Sequence, residues 1–305
     1  PQEDYFNMYR IDDKSDLKEA VLYVDYKTNI REHNMAAAGR EAGCGFSKSF
    51  VESFLCSDGL PISLSNKYLG DETMRKETAN RDPRLKQLIL TNDFPTNVTD
   101  DLKDSTFVVN EDEFITQHCF TGYRPIKGFN PIYSQALYMK SSFDGIAYRY
   151  AETLLINAEA KAELNTITNA DLDRTVNQLR DRVGMPHLTV NVGFTDPKWP
   201  DWGYSLSPVL QEIRRERCIE LAGEGFRFND LKRWKAGKLL NNVLTYVGKR
   251  KPDGNLAIVY PNYTNPDLSY QAGKSRTWED KMYLYPIPTG ELQRNPQLLP
   301  QNPGW

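Results

Sequence analysis

Apolar residues recur at helical spacing after Ser207, in the clearest pattern of hydrophobic and polar positions along the chain. A serine side chain can accept an unpaired N–H at a helix start, and Pro208 has the φ angle that a first helical residue needs. The apolar positions of this helix are Leu210, Ile213, Cys218 and Leu221. Gly223 and Gly225 interrupt the pattern, which then resumes up to Trp234. The pattern therefore predicts two helices within residues 208–236, joined at a sharp angle.

Charges of both signs stand beside these apolar positions. They belong to Arg217, Glu220, Glu224, Arg227, Asp230 and Arg233. Planar guanidinium groups can bridge carboxylates, so we expect these side chains to form a part-buried network that fixes the angle between the two helices. The alternative is a solvated face stabilised by weak pairs one turn apart. A carboxylate flanked by several arginines stays ionised, which does not suit a general acid near neutral pH.

A helical hairpin is predicted over residues 147–183. Asp144 can cap its first helix, Ala147 to Leu164, whose apolar stripe is rich in alanine and lets another helix approach closely. The second helix runs from Asn169 to Val183 and ends at a glycine. Two antiparallel helices joined by a short turn are the unit of tetratricopeptide packing. One such hairpin cannot cover its own apolar face, so it needs neighbouring elements.

The rest of the chain is rich in loops. Residues 1–144 predict short helices and strands, and residues 247–278 predict a long irregular loop of the kind that is usually functional or disordered. We therefore predict a mainly α fold: tetratricopeptide-like helical hairpins with long irregular loops and few short strands. The predicted organisation is a loop-rich region of residues 1–144 followed by a helical C-terminal region of residues 145–305.

Residues 281–305 are predicted to form an extended tail. Lys281 to Ile287 alternates enough for a short strand, which two prolines then end. Asn–Pro turns should hold the remainder in extended form. We expect Trp305 to dock into the core.

Composition and charge exclude several function classes. The net charge is −3, with no cluster of unpaired cations, which argues against a nucleic-acid surface. No stretch approaches the roughly 20 apolar residues of a membrane-spanning helix. The chain has three histidines, no HExxH sequence and no recognisable serine or cysteine nucleophile motif. We predict no catalytic residues, although two carboxylates for glycoside hydrolysis are related in space and not in sequence.

The cysteines and acidic residues predict no metal site and no cofactor. Cys44, Cys56, Cys119 and Cys218 lack C-x-x-C spacing and a matching histidine set, so we expect buried free thiols. The acidic span of residues 93–113 has oxygen ligands suited to calcium but no EF-hand spacing. A solvated acidic face is the favoured interpretation of that span.

Aromatic residues in loops supply the candidate binding chemistry. Trp199, Trp202 and Tyr204 lie among Pro and Gly residues between the hairpin and the Ser207 helix. Two interpretations stay open: these rings pack the loop onto the core, or they form platforms for the apolar faces of sugar rings. The candidate platform residues are Tyr68, Trp202, Tyr204 and Tyr263.

Four motifs stand in the second half of the chain: residues 148–160, residues 179–186, residues 216–234, and residues 285–288 with the tail 295–298 and 301–305. In this order they resemble the motifs of the SusD/RagB family of bacterial outer-membrane lipoproteins, with weaker similarity at 58–61 and 81–85. Cys218 departs from the family pattern, because the family commonly has a second arginine there. The motifs are structural, and none of them carries a ligand contact.

The resemblance implies non-catalytic capture of an oligosaccharide or polysaccharide at the cell surface and its delivery to a SusC-like TonB-dependent transporter. It implies an outer-membrane lipoprotein of which this chain is the C-terminal portion, with the signal and the lipidated cysteine outside it. The alternatives are a peptide-binding member of the family or an intracellular helical-repeat scaffold. A glycoside hydrolase is the least favoured alternative.

Overall fold

The computed structural model describes residues 4–38, 45–116, 118–258 and 277–305. The α-helices are α1 (Asp4–Asn7), α2 (Met35–Ala38), α3 (Lys48–Ser53), α4 (Met74–Thr78), α5 (Arg84–Leu88), α6 (Tyr133–Ala136), α7 (Tyr150–Glu163), α8 (Asn169–Asp173), α9 (Val176–Val183), α10 (Pro208–Glu220), α11 (Arg227–Arg233) and α12 (Thr289–Arg294). The strands are β1 (Ala20–Val24), β2 (Pro95–Val98), β3 (Ser105–Phe107), β4 (Gly145–Arg149), β5 (Val247–Arg250) and β6 (Leu256–Ile258). The mainly α fold class is confirmed.

The strands form three separate antiparallel pairs: β1 with β4, β2 with β3, and β5 with β6. The last pair lies where the sequence predicted only irregular loop, and that part of the prediction is wrong. Cross-strand hydrogen bonding, which local composition did not indicate, pairs Val247 with Ile258. None of the described helices is long and apolar enough to cross a membrane.

Helices α10 and α11 follow the sequence prediction closely. The Ser207 hydroxyl accepts the Leu210 N–H, and Pro208 is the first residue of α10. The chain then turns through Gly223 and Gly225, whose φ angles of 75° and 85° lie in the left-handed region that favours glycine. This turn places α11 after α10 without continuing the same helix.

The predicted hairpin is present, but its first helix begins later than expected. Residues Gly145–Arg149 pair with β1 as strand β4, so α7 begins at Tyr150. Asp144 does not cap α7, and that prediction is wrong. Its carboxylate instead accepts the backbone N–H groups of Lys14, at 3.1 Å, and Tyr26, at 2.9 Å. Asp144 therefore ties the N-terminal segment to the start of the hairpin.

The second helix of the hairpin is interrupted. Thr168 caps α8 with a capping box, α9 begins at Val176, and α9 ends at the left-handed Gly184. Thr175, between the two helices, has φ −131° and ψ −97°, outside the helical region, and its hydroxyl donates to the Asp171 carbonyl at 2.6 Å. The prediction of one continuous helix is wrong at this point, because a side-chain hydrogen bond competes there with the helical pattern.

Two of the three apolar clusters of the described residues include side chains of α10. One is formed mainly by α7, α8, α9 and α10, with Leu155, Val176 and Ile213 fully buried. The other joins residues of the first half, such as Leu85 and Tyr123, to residues of the second half. The boundary between residues 144 and 145 remains a prediction.

Glu220, at the end of α10, is the centre of a buried ion network. Its carboxylate is fully buried and accepts hydrogen bonds from Arg84 at 2.9 Å, Arg149 at 2.6 Å, and Arg182 at 2.6 and 2.7 Å. Burial alone would raise the pKa of Glu220, but the three guanidinium groups outweigh it and hold that pKa well below its ordinary value. One carboxylate therefore ties α5, the end of β4, and α9 to α10.

The other predicted charges form ion pairs as well, some around Glu220 and some in a second group that joins α10 to α11. Glu224 accepts from Arg149 at 2.7 and 2.8 Å. Arg217 of α10 donates to Asp230 of α11 at 2.9 and 3.0 Å, and Arg233 donates to the same carboxylate at 2.9 Å. Five of the six predicted members are thus confirmed.

Arg227 is the exception among the predicted network residues. It is exposed, and no carboxylate of the described residues pairs with it. Its guanidinium lies 5.8 Å from the centroid of the Trp234 ring. Arg227 is the first residue of α11, and its contact there is with an aromatic ring and not with an acidic group.

The described cysteines are free thiols. Cys56 and Cys119 are buried, as predicted, and burial raises the pKa of both thiols. Cys218 is only partly buried. Cys44 lies outside the described residues.

The C-terminal residues differ from the prediction. A 3-10 helix, Asp280–Tyr283, stands where a strand was expected, and the tail carries α12 and a second 3-10 helix, Pro296–Leu298. Trp305 does not dock into the core, because its indole N–H donates at the surface to the carbonyls of Lys281 and Leu284, both at 3.0 Å. The ring is 48% exposed.

Replacing Glu220 with glutamine removes the buried charge that Arg84, Arg149 and Arg182 share. We expect the free energy of unfolding to fall by about 3–5 kcal/mol, because breaking a buried ion network leaves uncompensated charge. Urea denaturation followed by circular dichroism measures this loss. As a control, Glu72→Gln removes an exposed pair with Lys76 and should change stability by less than about 0.5 kcal/mol. Equal stability of the two variants would contradict the central role of Glu220.

Trp305→Ala should destabilise the protein far less than Trp234→Ala. Trp234 is 4% exposed and Trp305 is 48% exposed. We expect a loss of about 3–5 kcal/mol for Trp234 and less than about 1.5 kcal/mol for Trp305. Melting temperatures of the two variants test this order, and a larger shift for Trp305 would show that the tail is an essential part of the core.

Candidate functional site

A cleft of about 750 Å³ opens between α7, α10 and the end of α11. Its walls combine an aliphatic and aromatic surface with paired charges. The lining residues are Ile156, Glu159, Ala160, Glu163, Tyr204, Arg214, Arg217, Arg233, Trp234 and Lys235. A concave surface of this size, with a few fixed polar groups, suits a small ligand or one part of a larger one.

The aromatic wall is built around Arg214. Its guanidinium lies 4.4 Å from the Trp234 centroid and 4.8 Å from the Trp202 centroid, and these two rings meet edge to face at 5.4 Å. The Tyr204 hydroxyl donates to the Trp234 carbonyl at 2.7 Å and accepts from Arg214 at 3.0 Å. Tyr204 is 43% exposed. The contacts therefore fix the Tyr204 hydroxyl while leaving part of the side chain open to solvent.

The two carboxylates of the cleft are held by arginines. Glu159 accepts two hydrogen bonds from Arg233, at 2.6 and 2.7 Å, and one from the Trp234 indole N–H. Glu163 accepts from Arg214 at 2.7 Å. Burial would raise the pKa of Glu159, but the Arg233 and Trp234 hydrogen bonds outweigh it and hold that pKa below its ordinary value. Glu159 is therefore an ionised acceptor whose oxygens are fixed in position.

Lys235 lies at the left-handed position that ends α11. Its φ angle is 49°, and the next residue, Ala236, donates its N–H to the Leu231 carbonyl at 2.8 Å in the manner of a Schellman motif. Glycine is the usual residue at this position, and a lysine there costs roughly 1 kcal/mol in backbone energy. The Lys235 side chain is exposed and has no partner among the residues that the structure describes.

The sequence-predicted platform residues lie in different places. Tyr204 lines the cleft, whereas Trp202 is 5% exposed and supports the wall, with its indole N–H donating to Gln211 at 2.6 Å. Tyr68 does not line the cleft: the Arg81 guanidinium covers its ring at 5.3 Å, and burial raises the pKa of its phenol. Tyr263 lies outside the described residues. The structure thus brings Trp202 and Tyr204 together, and their role in binding remains a prediction.

The aromatic loop is stapled to α10, in agreement with one of the two interpretations given above. The Trp199 indole N–H donates to Glu212 at 2.7 Å, as Trp202 does to Gln211. The contacts of these two residues are with α10, so they hold the loop in place. Tyr204 alone of the three combines packing against the wall with an exposed position in the cleft.

Sequence reasoning missed most of the cleft. Glu159, Glu163 and Arg214 were visible only as charged positions on helices, and Trp234 only as the last apolar position of its helix. Lys235 carried no signal of its own, because its left-handed backbone becomes apparent only once the structure shows where α11 ends.

The family model, the curated relative and the solved structures that match this chain all point to the same family. A model of the SusD family matches residues 12–305. The SusD-like protein P2 of Formosa agariphila is 33% identical over 166 residues, which is 54% of this chain and 27% of that protein. A solved SusD-like protein from Bacteroides fragilis is 26% identical, with a TM-score of 0.68, over all of this chain and 57% of that one.

A second solved structure, a SusD-like carbohydrate binding protein from Bacteroides fragilis, has 22% identity and a TM-score of 0.61. The match covers 98% of this chain and 62% of that one, and at this identity it shows a shared fold. This chain thus spans less than two thirds of the length of each of these relatives. Because the family model matches nearly the whole sequence, the chain belongs to the SusD family.

Proposed function

We propose that the protein captures a glycan at the bacterial cell surface, without altering it, for uptake through a SusC-like TonB-dependent transporter. Membership of the SusD family supports this proposal, together with the shared fold of a relative described as carbohydrate binding. The proposed location is the outer membrane, as a surface lipoprotein.

The observation that carries the proposal is the half-exposed Tyr204 beside fixed polar groups in the cleft. Sugar rings have apolar C–H faces that pack on aromatic rings, and hydroxyl groups that exchange hydrogen bonds with planar charged side chains. Tyr204 supplies the ring, while Glu163 and Arg233, each 45% exposed, supply acceptor and donor groups at the rim. The arginine–carboxylate pairs hold these groups in place before the ligand arrives, which reduces the entropy lost on binding.

The same pairs disfavour glycosidic bond cleavage in this cleft. A glycosidase needs a carboxylic acid that is protonated near neutral pH, which requires a raised pKa. The pKa of Glu159 is instead lowered, and Glu163 is bound to a guanidinium at 2.7 Å. With both carboxylates engaged by arginines, the cleft suits binding and release of an unchanged glycan.

Calorimetric titration of the 305-residue chain with glycans selected on an array tests the proposal directly. Exposed sugars gain little net free energy from exchanging hydrogen bonds with water, so we expect saturable binding with Kd values of about micromolar or weaker. Chromatography of the same mixtures should recover the glycan intact. Shorter products would contradict the non-catalytic role, and binding of peptides in place of glycans would favour the peptide-binding alternative.

Tyr204→Ala should weaken glycan binding about three- to ten-fold through loss of the stacking surface. Tyr204→Phe keeps the ring and loses only the hydroxyl contacts with Trp234 and Arg214, so it should retain most of the affinity. Tyr138→Ala is the matched control, because Tyr138 is 73% exposed and does not line the cleft. Unchanged affinity in Tyr204→Ala would show that the glycan does not bind in this cleft, whatever the protein binds elsewhere.

A further inference from the structure

The charges that line the cleft do not balance. Four cationic side chains face two carboxylates: Arg214, Arg217, Arg233 and Lys235 against Glu159 and Glu163. Each arginine has an acidic partner, because Arg214 pairs with Glu163, Arg233 with Glu159, and Arg217 with Asp230 behind the wall. Once these three pairs are formed, Lys235 is left as the uncompensated charge of the lining.

Two arginine side chains of the lining also have an N–H group that lacks a hydrogen-bond partner among the described residues. Nε of Arg214 and Nη1 of Arg217 are buried without a hydrogen-bond partner among the described residues. Both arginines lie in the wall of the cleft. A nearby negative charge would stabilise these groups even without direct contact, because Coulomb interactions are stronger in a partly desolvated cleft than in water.

Lys235 is linked to the aromatic residue of the site through the backbone of Trp234. The Tyr204 hydroxyl donates at 2.7 Å to the carbonyl of Trp234, which is the residue that precedes Lys235. The left-handed backbone of Lys235 is fixed by the hydrogen bonds that end α11. The residue that binds the Tyr204 hydroxyl and the residue with the unpaired ammonium group are thus neighbours in the chain, and Lys235 stands at a position that glycine would occupy with less strain.

We propose that the cleft selects anionic glycans, in which a carboxylate or sulfate group pairs with Lys235 while the sugar ring packs on Tyr204. This inference rests on the proposed glycan capture and names the substrate class. A uronic acid supplies the carboxylate and a sulfated sugar supplies the sulfate, so the shared chemistry is one negative charge close to an apolar ring face.

A lysine at the C-terminal end of a helix has a purely structural explanation too, since a cation there interacts favourably with the helix dipole. The two explanations predict different effects of the substitution Lys235→Gly. Lys235→Gly removes the charge but relieves the left-handed strain, so it should leave the melting temperature nearly unchanged. Selectivity for anionic glycans, in contrast, should be lost.

The test compares three probes by calorimetry on the 305-residue chain: oligogalacturonides, chondroitin sulfate oligosaccharides, and maltooligosaccharides of matched length as the neutral reference. We expect about five-fold tighter binding of at least one anionic probe than of the neutral one at low salt, and a smaller preference at high salt. The uronate and the sulfated probe show which anionic group is preferred.

The variants then assign the preference to Lys235. In Lys235→Gly the affinity ratio of the anionic to the neutral probe should fall to nearly one, and in Lys235→Arg the ratio should stay at its original value. Lys238→Ala is the matched control, because Lys238 is exposed three residues further on and does not line the cleft. An anionic preference that survives in Lys235→Gly, or binding of neutral glycans alone, would overturn this inference while leaving glycan capture intact. Failure to bind any glycan would overturn the proposed function itself.

Discussion

The carboxylate of Glu220 is the interaction on which the rest of the structure depends. A fully buried charge is stable only when its partners are close and well oriented, and here three arginines from different segments meet at one side chain. Arg84 is 136 residues from Glu220 along the chain, so the ion network joins the loop-rich first half to the helices of the second half. Apolar packing alone does not specify such a meeting point, because hydrophobic contacts have no preferred direction.

The cleft follows from the position of α10. Arg217 lies three residues before Glu220, and Arg214 three residues before that, so the same helix carries the buried Glu220 and two arginines that face the cleft. Those two arginines have acidic partners of their own, Asp230 and Glu163. Asp230 ties α10 to α11, and Glu159 of α7 ties the same helix through Arg233. The walls are therefore held by directional ion pairs, which give a binding surface its shape before a ligand is present.

Pairing of this kind also determines what the cleft can do. Carboxylates held by guanidinium groups are poor proton donors but good fixed acceptors, and arginines held by carboxylates keep their remaining N–H groups in defined directions. Such a surface supports the proposed capture of a ligand without chemical change. Lys235 differs from the other charged residues of the lining because its charge has no partner among the described residues, and we therefore propose it as the residue that selects between ligands.

The sequence by itself determined the features that depend on near neighbours in the chain. Ser207 and Pro208 begin α10, and Gly223 and Gly225 form the turn that follows it. Most of the charged network residues lie within two turns of these signals, so propensity and spacing sufficed. The family motifs are local in the same sense. Their recognition needed no contact between distant residues.

Only the tertiary structure decided the features that depend on distant partners. Asp144 binds the backbone of Lys14 and Tyr26 and does not cap a helix, and Trp305 finds its acceptors at the surface and stays outside the core. The cleft brings Glu159 to Arg233, which is 74 residues away, and Tyr204 to Trp234, which is 30 residues away. Spacing along the chain does not predict such contacts. They form when distant helices and loops pack together, because the polar groups buried there need hydrogen-bond partners.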